Sequence, residues 1–500
     1  MGKPVGRWLL FAGGLLAGLV AALGHAPFGL WGLGLIGLLA GYFLVSMAGT
    51  TRRAALVGWA LGTGYFAGTL NWLTSPFLVE PEIYGWMAPF ALGLMSSGLG
   101  LFWGGASGFA VWVGGRGRLW LAWPAAMGLG ELLRGHVFTG FPWGGPGEFW
   151  VDTPLLGLVG WTGATGLGVL TFLAAAWGAR LFVGPRRGVS LLVIVICAGV
   201  TLALGGAVLR QEPVVRAAPI TVRLVQPNAP QAQKWDPQYI GQFLQRAIDL
   251  TGATGVGGDP DLVVWPETSM PYLLGDAAPV LREIAGMTSA QVVLGAQRAE
   301  AGPRYYNSMV VLAPDGSVAA LYDKAHLVPF GEYTPFGGLL YRFGIKGFAA
   351  QYGGGYSAGE GAGPLDLGRA GKALPLICYE AIFPDDLRRD TRADWILQIT
   401  NDAWFGTFSG PQQHLVIARL RAAEFGLPFV RAANTGVSAV IDARGRVVDQ
   451  IALGMAGFLD VTLPGALPET FYAKRGDMIL ILLLLGIILT LAAKRRTISD

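Results

Sequence analysis

The 500-residue chain is 53% hydrophobic and only 14% charged, against about 25% charged in ordinary soluble proteins. That balance excludes an ordinary soluble domain and points to a protein built largely in a membrane. The formal net charge of +4 gathers in the apolar parts of the chain, which argues against a nucleic-acid-binding surface as its cause.

Apolar stretches lie near 8–24, 28–48, 54–72, 87–113, 119–133, 155–182, 189–209 and 477–493. Each approaches or exceeds the roughly 20 residues that span a hydrocarbon core. Eight transmembrane helices are therefore predicted, seven before a long polar segment and one after it. A glycine run, from Gly104 to Gly115, separates the fourth from the fifth. The first 24 residues have the charged start and apolar core of a secretory signal, but "GHAPFGLW" offers no small-residue cleavage site, so a retained helix is expected. Gly14 and Gly18 form a GxxxG pair within it.

Threading from a cytoplasmic N-terminus puts Lys3 and Arg7, Arg52 and Arg53, Arg116 and Arg118, Arg186 and Arg187, and Lys494 to Arg496 on one side. Loops near 25–28 and 73–86 carry no Lys or Arg, and that near 134–154 has only Arg134 at its edge. This asymmetry is the positive-inside pattern, with both termini cytoplasmic. The predicted organisation is a seven-helix membrane domain over 1–209, an exported domain over 210–476, and a final helix and cytoplasmic tail over 477–500.

The exported segment alternates strand and helix patterns. Short β-branched runs stand at 220–226, 261–265, 291–296, 308–313, 374–378, 395–400 and 437–442, with helical patterns near 237–252, 277–287 and 411–426. An α/β sandwich follows from that order. Within it "LICYEAIF", residues 376–383, holds the segment's single cysteine. An oxidising compartment favours disulfides, yet the other cysteine, Cys197, lies near the middle of an apolar span and reads as a packing residue. Cys378 is thus a free thiol at a strand end, either a core residue or a nucleophile that needs a base and a cation beside it.

Two strand ends offer partners. "DLVVWPETSMPY" turns at Pro266 and presents Glu267, and "LYDKAHLVPFGEYTPFG" brings Lys324, His326 and Glu332. His326 keeps a Cys/His thiol enzyme open as a reading. "GYSAG", residues 355–359, matches the GxSxG of serine hydrolases, but its glycine-rich flanks lack the strand and helix that a nucleophile elbow requires. No run has metal-ligand spacing, so no metal is expected.

Glu267 in "VVWPETSMPY", Lys324 in "YDKAHLVPFGEYTPFG" and Cys378 in "ICYEAIFPD" resemble the Glu/Lys/Cys triad of the nitrilase-like carbon–nitrogen hydrolases. With its flanking helices the chain is similar to the membrane-embedded apolipoprotein N-acyltransferase branch. "GHAPFGLW", "FTGFPWG", "APQAQKWDP", "TNDAWFGTFSGPQQHL" and "VRAANTGVSAVID" extend the likeness over nearly the whole chain.

The resemblance implies a four-layer αββα domain on an eight-helix body in a bacterial inner membrane. It also implies that Cys378 takes an acyl chain from a phospholipid as a thioester. The chain then passes to the α-amine of the S-diacylglyceryl cysteine that begins an apolipoprotein. Glu267 is the implied base and Lys324 the stabilising cation. Among the substrate-site residues, Glu332 is implied to orient Lys324 or assist the base, and Trp235, Tyr379 and Glu380 to line or shape the site, without metal or cofactor. An apolar, glycine-bearing stretch at 335–355 is a candidate lid. The same triad could instead serve a membrane-anchored amidase that hydrolyses a lipid amide or ester.

Overall fold

The computed structural model describes residues 6–183, 187–255, 257–302, 304–335, 355–361 and 363–499. They fall into two compact units: Met1–Glu212 with Phe408–Phe425 and Glu469–Asp500, and Pro213–Thr407 with Gly426–Pro468.

The first unit is helical. Its main helices are Arg7–Ala22, Trp31–Met47, Thr51–Thr69, Ala88–His136, Val159–Val183, Arg187–Leu209, Gly410–Phe425 and Met478–Ser499. Among the described residues, Pro81–Gly115, Pro154–Phe182, Arg187–Leu209 and Met478–Arg495 are long and apolar enough to cross a membrane, and Arg7–Ala22 and Trp31–Met47 are shorter apolar helices. Helix Ala88–His136 breaks at Gly115, whose φ of 55° and ψ of −166° suit a residue without a Cβ. The break falls in the glycine run seen in the sequence.

Two glycines set a close seam. A Cβ on Gly18 would lie 2.1 Å from the Leu61 carbonyl oxygen, and one on Gly64 would lie 2.1 Å from that of Leu15. Helices Arg7–Ala22 and Thr51–Thr69 therefore touch backbone to backbone, the contact that GxxxG patterns permit.

Charged groups inside this unit are paired. Arg134 donates to Glu131 at 2.5 and 3.1 Å, and Trp103 Nε1 donates to the same carboxylate at 2.7 Å. His25 lies 2.6 Å from the Tyr65 hydroxyl and 3.1 Å from Glu148. Gln413 accepts from Trp143 Nε1 at 2.8 Å and donates to the Ala26 and Thr69 carbonyls at 3.0 Å each. In apolar surroundings such groups persist only when each finds a partner.

Among the described residues, the second unit contains twelve strands: β1 Thr221–Gln226, β2 Leu262–Val264, β3 Gln291–Glu300, β4 Arg304–Leu312, β5 Val318–Asp323, β6 Leu365–Asp366, β7 Lys372–Ile377, β8 Trp395–Thr400, β9 Phe429–Ala433, β10 Ser438–Ile441, β11 Val447–Ile451 and β12 Gly457–Thr462. They form two six-stranded sheets, in the orders β12-β1-β2-β3-β4-β5 and β11-β10-β9-β8-β7-β6. The pairs β1–β2–β3 and β7–β8–β9 are parallel, and the rest are antiparallel.

Strand periodicity explains the layers. Val222, Leu224 and Val264 of the first sheet meet Ile377, Leu397, Ile399 and Val430 of the second in one buried core. Alternate residues Val225, Val263 and Trp265 face the other way, against Ala247, Ile248, Leu281 and Ile284 of helices Ile240–Gly252 and Ala278–Gly286. Successive residues of a strand point to opposite faces, so two such runs cover both sides of one sheet.

The sequence reading omitted β5, β6, β9, β11 and β12. Strands β5, β6, β11 and β12 lie at the sheet edges; β6 spans two residues and β11 is largely exposed, so neither of these two shows a sustained apolar run. Strand β9, "FVRAA", is interrupted by Arg431, which is nonetheless fully buried.

Candidate active site

Cys378 stands where β7 gives way to the short 3₁₀ turn Cys378–Ile382. Its φ is +51°, a left-handed conformation that L-residues adopt at a cost and that recurs at functional turns. Two contacts hold it there. Gln398 Nε2 donates to the Cys378 carbonyl at 2.9 Å, and the Ile377 N–H donates to Glu380 Oε2 at 2.7 Å.

Glu267 follows β2 and Pro266 in a second strained turn, with Thr268 at φ +47°. A Cβ on Gly295 of β3 would come within 2.6 Å of Glu267 Cα, so only glycine lets that strand pass. Both carboxylate oxygens are occupied. Oε1 accepts from Asn307 Nδ2 at 2.6 Å, with Lys324 Nζ at 3.5 Å, and Oε2 accepts from the Asn401 N–H at 2.8 Å.

Lys324, 1% exposed, follows β5 and donates to Glu332 Oε1 at 2.8 Å. Asn307 Nδ2 also reaches Glu332 Oε1 at 3.2 Å, and Glu332 Oε2 accepts from the Val328 N–H at 2.8 Å. One buried cation thus lies between two carboxylates tied by an amide. Burial alone lowers the Lys324 pKa, but Glu332 and Glu267 more than offset it and the net direction is upward. The ammonium is fixed.

The thiol is pushed the other way. Burial raises the Cys378 pKa, the charge of Glu267 raises it further, and Lys324 only partly offsets them. The resting sulfur is therefore protonated, and a reaction at it requires transfer of that proton to a nearby base as the bond forms.

Glu380 is 1% exposed, and its Oε1 accepts from Tyr322 Oη at 2.7 Å and from the N–H groups of Ala325 and His326 at 2.8 and 3.1 Å. It ties the nucleophile turn to the chain just after Lys324, and burial shifts its pKa upward. Tyr379 is buried with its ring 5.0 Å from Phe383. His326 stacks on Phe383 at 3.6 Å, lies edge-on to Tyr379 and pairs with Asp386 at 3.0 Å; among the described contacts it does not meet the Cys378 sulfur. In "GYSAG", Tyr356, Ser357 and Gly359 run without helix or strand, their N–H groups bonded to Glu332, Tyr305 and Lys324 carbonyls. There is no elbow at Ser357. Residues 336–354 of the lid candidate lie outside the described residues.

Trp235 is half-buried and lines a cavity of about 20 Å³ with Lys234, Glu267 and Thr268, room for about one water. Lys234, Asn307 and Asn401 were missed from the sequence. Lys234 is fully enclosed, donating to Thr268 Oγ1 at 2.6 Å and to the Glu267 carbonyl at 3.2 Å. It clamps the turn that carries the carboxylate. The available signal was its place beside Trp235 in "APQAQKWDP".

Burial lowers the Lys234 pKa from 10.5 to about 8, with Glu267 and Cys378 partly opposing. Between those values the unfolded chain binds more protons than the folded one, so stability rises with pH across that window. Lys324, shifted upward, stays charged throughout it. Groups shifted upward, Cys378 among them, contribute the opposite slope in wild type and variant alike, so the expected result is a wild-type unfolding temperature that gains on that of Lys234→Met from pH 8 to 10.5 in detergent; a constant difference between the two would contradict the assignment.

Comparison with known proteins covers both units. Residues 221–466 match the carbon-nitrogen hydrolase family, and residues 17–177 match the apolipoprotein N-acyltransferase N-terminal domain. The chain is 40% identical to an apolipoprotein N-acyltransferase of Sinorhizobium medicae, over 94% of this chain and 93% of that one. Similar proteins of the same name from Rhodopseudomonas palustris and Caulobacter vibrioides share 37% and 38% identity, over 96% and 94% of this chain and 94% and 92% of theirs. The two-sheet unit has the carbon–nitrogen hydrolase fold.

Proposed function

The chain belongs to the apolipoprotein N-acyltransferase family, and from that premise we propose how its Glu267, Lys324 and Cys378 site acts. It is an enzyme that N-acylates lipoproteins.

The donor is a membrane phospholipid. Cys378 attacks the ester carbonyl while Glu267 takes the thiol proton, and Lys324 holds the charge that develops on the carbonyl oxygen. The tetrahedral adduct collapses to a thioester. Glu267 returns the proton to the departing glycerol oxygen, and a lysophospholipid leaves.

The α-amine of a diacylglyceryl-modified N-terminal cysteine then attacks the thioester. Glu267 takes the amine proton and passes it to the returning sulfur, leaving an amide and a restored thiol. Glu332 orients Lys324, and Trp235 and Tyr379 shape the space around the acyl carbonyl. The catalytic residues themselves need no group beyond the two substrates for this proton balance.

The observation that carries the reading is the buried carboxylate of Glu267, held at both oxygens beside Lys324 and electrically coupled to the thiol of Cys378. Hydrolysis of a lipid amide by the same triad is not favoured, because the similarity to N-acyltransferases includes the helical unit.

The wider arrangement belongs to the same proposal. Eight membrane helices carry a four-layer αββα domain, with 1–209 and 477–500 in and beside the bacterial inner membrane and 210–476 on its periplasmic side. Both termini are cytoplasmic. Apolar helices at both ends of the chain support it, and both substrates have chains that are costly to draw out of a bilayer.

Mass spectrometry of the purified protein with phospholipid vesicles tests the chemistry. One acyl chain is expected on Cys378, discharged rapidly by a diacylglyceryl-cysteine peptide and slowly by water. Discharge by water at an equal rate would make the protein a hydrolase.

A further inference from the structure

Asn307 carries a polar atom that the proton balance above leaves unused. It lies in β4, where strand alternation turns it to the same face as Met309 and Val311, which pack in the core between the two sheets. It is 2% exposed. Its Nδ2 donates to Glu267 Oε1 at 2.6 Å and to Glu332 Oε1 at 3.2 Å. Both amide protons are thus spent on carboxylates. Its Oδ1 is enclosed as well, and that oxygen has no hydrogen-bond partner among the described residues.

Turning the amide over would not help it. The exchange would set a carbonyl against two ionised carboxylate oxygens, which accept and do not donate. The donors around it are directed elsewhere: Lys324 Nζ to Glu332 and Glu267, and Gln297, its cross-strand neighbour on β3, to the Tyr356 hydroxyl at 2.6 Å. Buried acceptors are nearly always matched, so one left over beside a catalytic base calls for a donor that arrives with the chemistry.

The oxygen and nitrogen of one amide are about 2.2 Å apart, which keeps Oδ1 within about 5 Å of the Glu267 oxygen that Nδ2 holds. Two acceptors at such a separation suit a single tetrahedral nitrogen, which reaches each through an N–H bond directed about 2.9 Å to its acceptor. The α-amine attacks as a neutral group with two N–H bonds. Its lone pair forms the C–N bond and the carbonyl π pair moves to oxygen. Glu267 takes one N–H proton, the C–S bond breaks, and the sulfur receives that proton. The other N–H stays in the product amide.

We propose that Asn307 Oδ1 accepts this retained N–H while Glu267 takes the other, so that Asn307 selects an amine over an alcohol as the nucleophile that discharges the thioester. A lysophospholipid hydroxyl has one hydrogen, which goes to Glu267 and leaves Oδ1 unmet. The acyl chain is thereby biased onward to the amine and against return to its donor. Water has two hydrogens, so its exclusion falls to other features of the protein. The inference rests on the reading of Cys378 as the residue that carries the acyl chain.

The test is the discharge rate of pre-formed acyl-enzyme, in the full-length detergent-purified protein, by a diacylglyceryl-cysteine peptide, by its N-methyl analogue and by lysophospholipid. Asn307→Leu removes Oδ1 together with the Nδ2 bond to Glu267, and the second loss is common to all three nucleophiles. The rate ratio of primary amine to lysophospholipid is therefore expected to fall about tenfold, the worth of one hydrogen bond. The ratio of primary to N-methyl amine should fall with it, because the methylated amine has only the N–H that goes to Glu267. Equal slowing toward all three would mean that Asn307 only holds Glu267, and overturns the proposal.

If Asn307→Leu fails to fold or takes no acyl chain, the wild type decides. Its preference for the primary over the N-methyl amine should exceed that of a free acyl thioester in solution by about tenfold, and an equal preference refutes the assignment. A wild type with no acyl chain on Cys378 defeats the nucleophile reading and this inference together. An acyl-enzyme whose ratios do not change defeats the inference alone.

Discussion

Cys378→Ala is expected to abolish acyl transfer while leaving the protein folded. The change removes a single sulfur atom from a buried position, a small packing loss. It also removes the only atom able to carry the acyl chain. Loss of the nucleophile from a comparable covalent catalyst costs about 10⁶ in turnover. Turnover and thioester should disappear together, while the detergent unfolding temperature stays near that of the wild type. Transfer at even one thousandth of the wild-type rate would place the nucleophile elsewhere.

Lys324→Met carries the next largest effect, and unlike the first it acts on both rate and stability. Methionine fills most of the volume of the side chain but leaves Glu267 and Glu332 buried and facing one another without a cation. Breaking a buried pair in this manner costs about 3–5 kcal/mol. Acylation loses the charge that stabilises both thiolate and oxyanion, a factor of about 10² to 10³ for one such donor. The expected phenotype is a lower unfolding temperature together with the loss of the thioester. Single-turnover acylation within tenfold of the wild type would show that Lys324 does not stabilise the charge.

The sequence made the residues of the triad legible because each ends a short apolar run: Trp265 before Glu267, Tyr322 before Lys324, Ile377 before Cys378. What holds those residues was not legible. Asn307 lies within β4 and Asn401 just after β8, and neither type declares that its side-chain amide or backbone N–H will meet a carboxylate 40 or 134 residues away. Glu380 was read as part of the substrate site, and its four backbone and hydroxyl donors emerge only when strands distant in sequence come together.

The same reason accounts for the fold. Seven strands were visible as apolar runs, while β9 was hidden by Arg431, a residue type almost never buried unless paired. Its partners Asp402 and Gln398 come from other segments, so no local pattern could reveal it. Among the helices, the Gly14 and Gly18 pair looked weak in a chain with 77 glycines, and only the approach of Leu61 singled it out.

The left-handed backbone at Cys378 has a consequence for how this protein tolerates change. A residue with a Cβ pays roughly 1–2 kcal/mol to sit in that region, and glycine pays nothing. The fold by itself would therefore favour glycine at the one position where chemistry demands sulfur. Stability and activity pull in opposite directions there, so a search for hardier variants of this enzyme will find inactive ones first at residue 378.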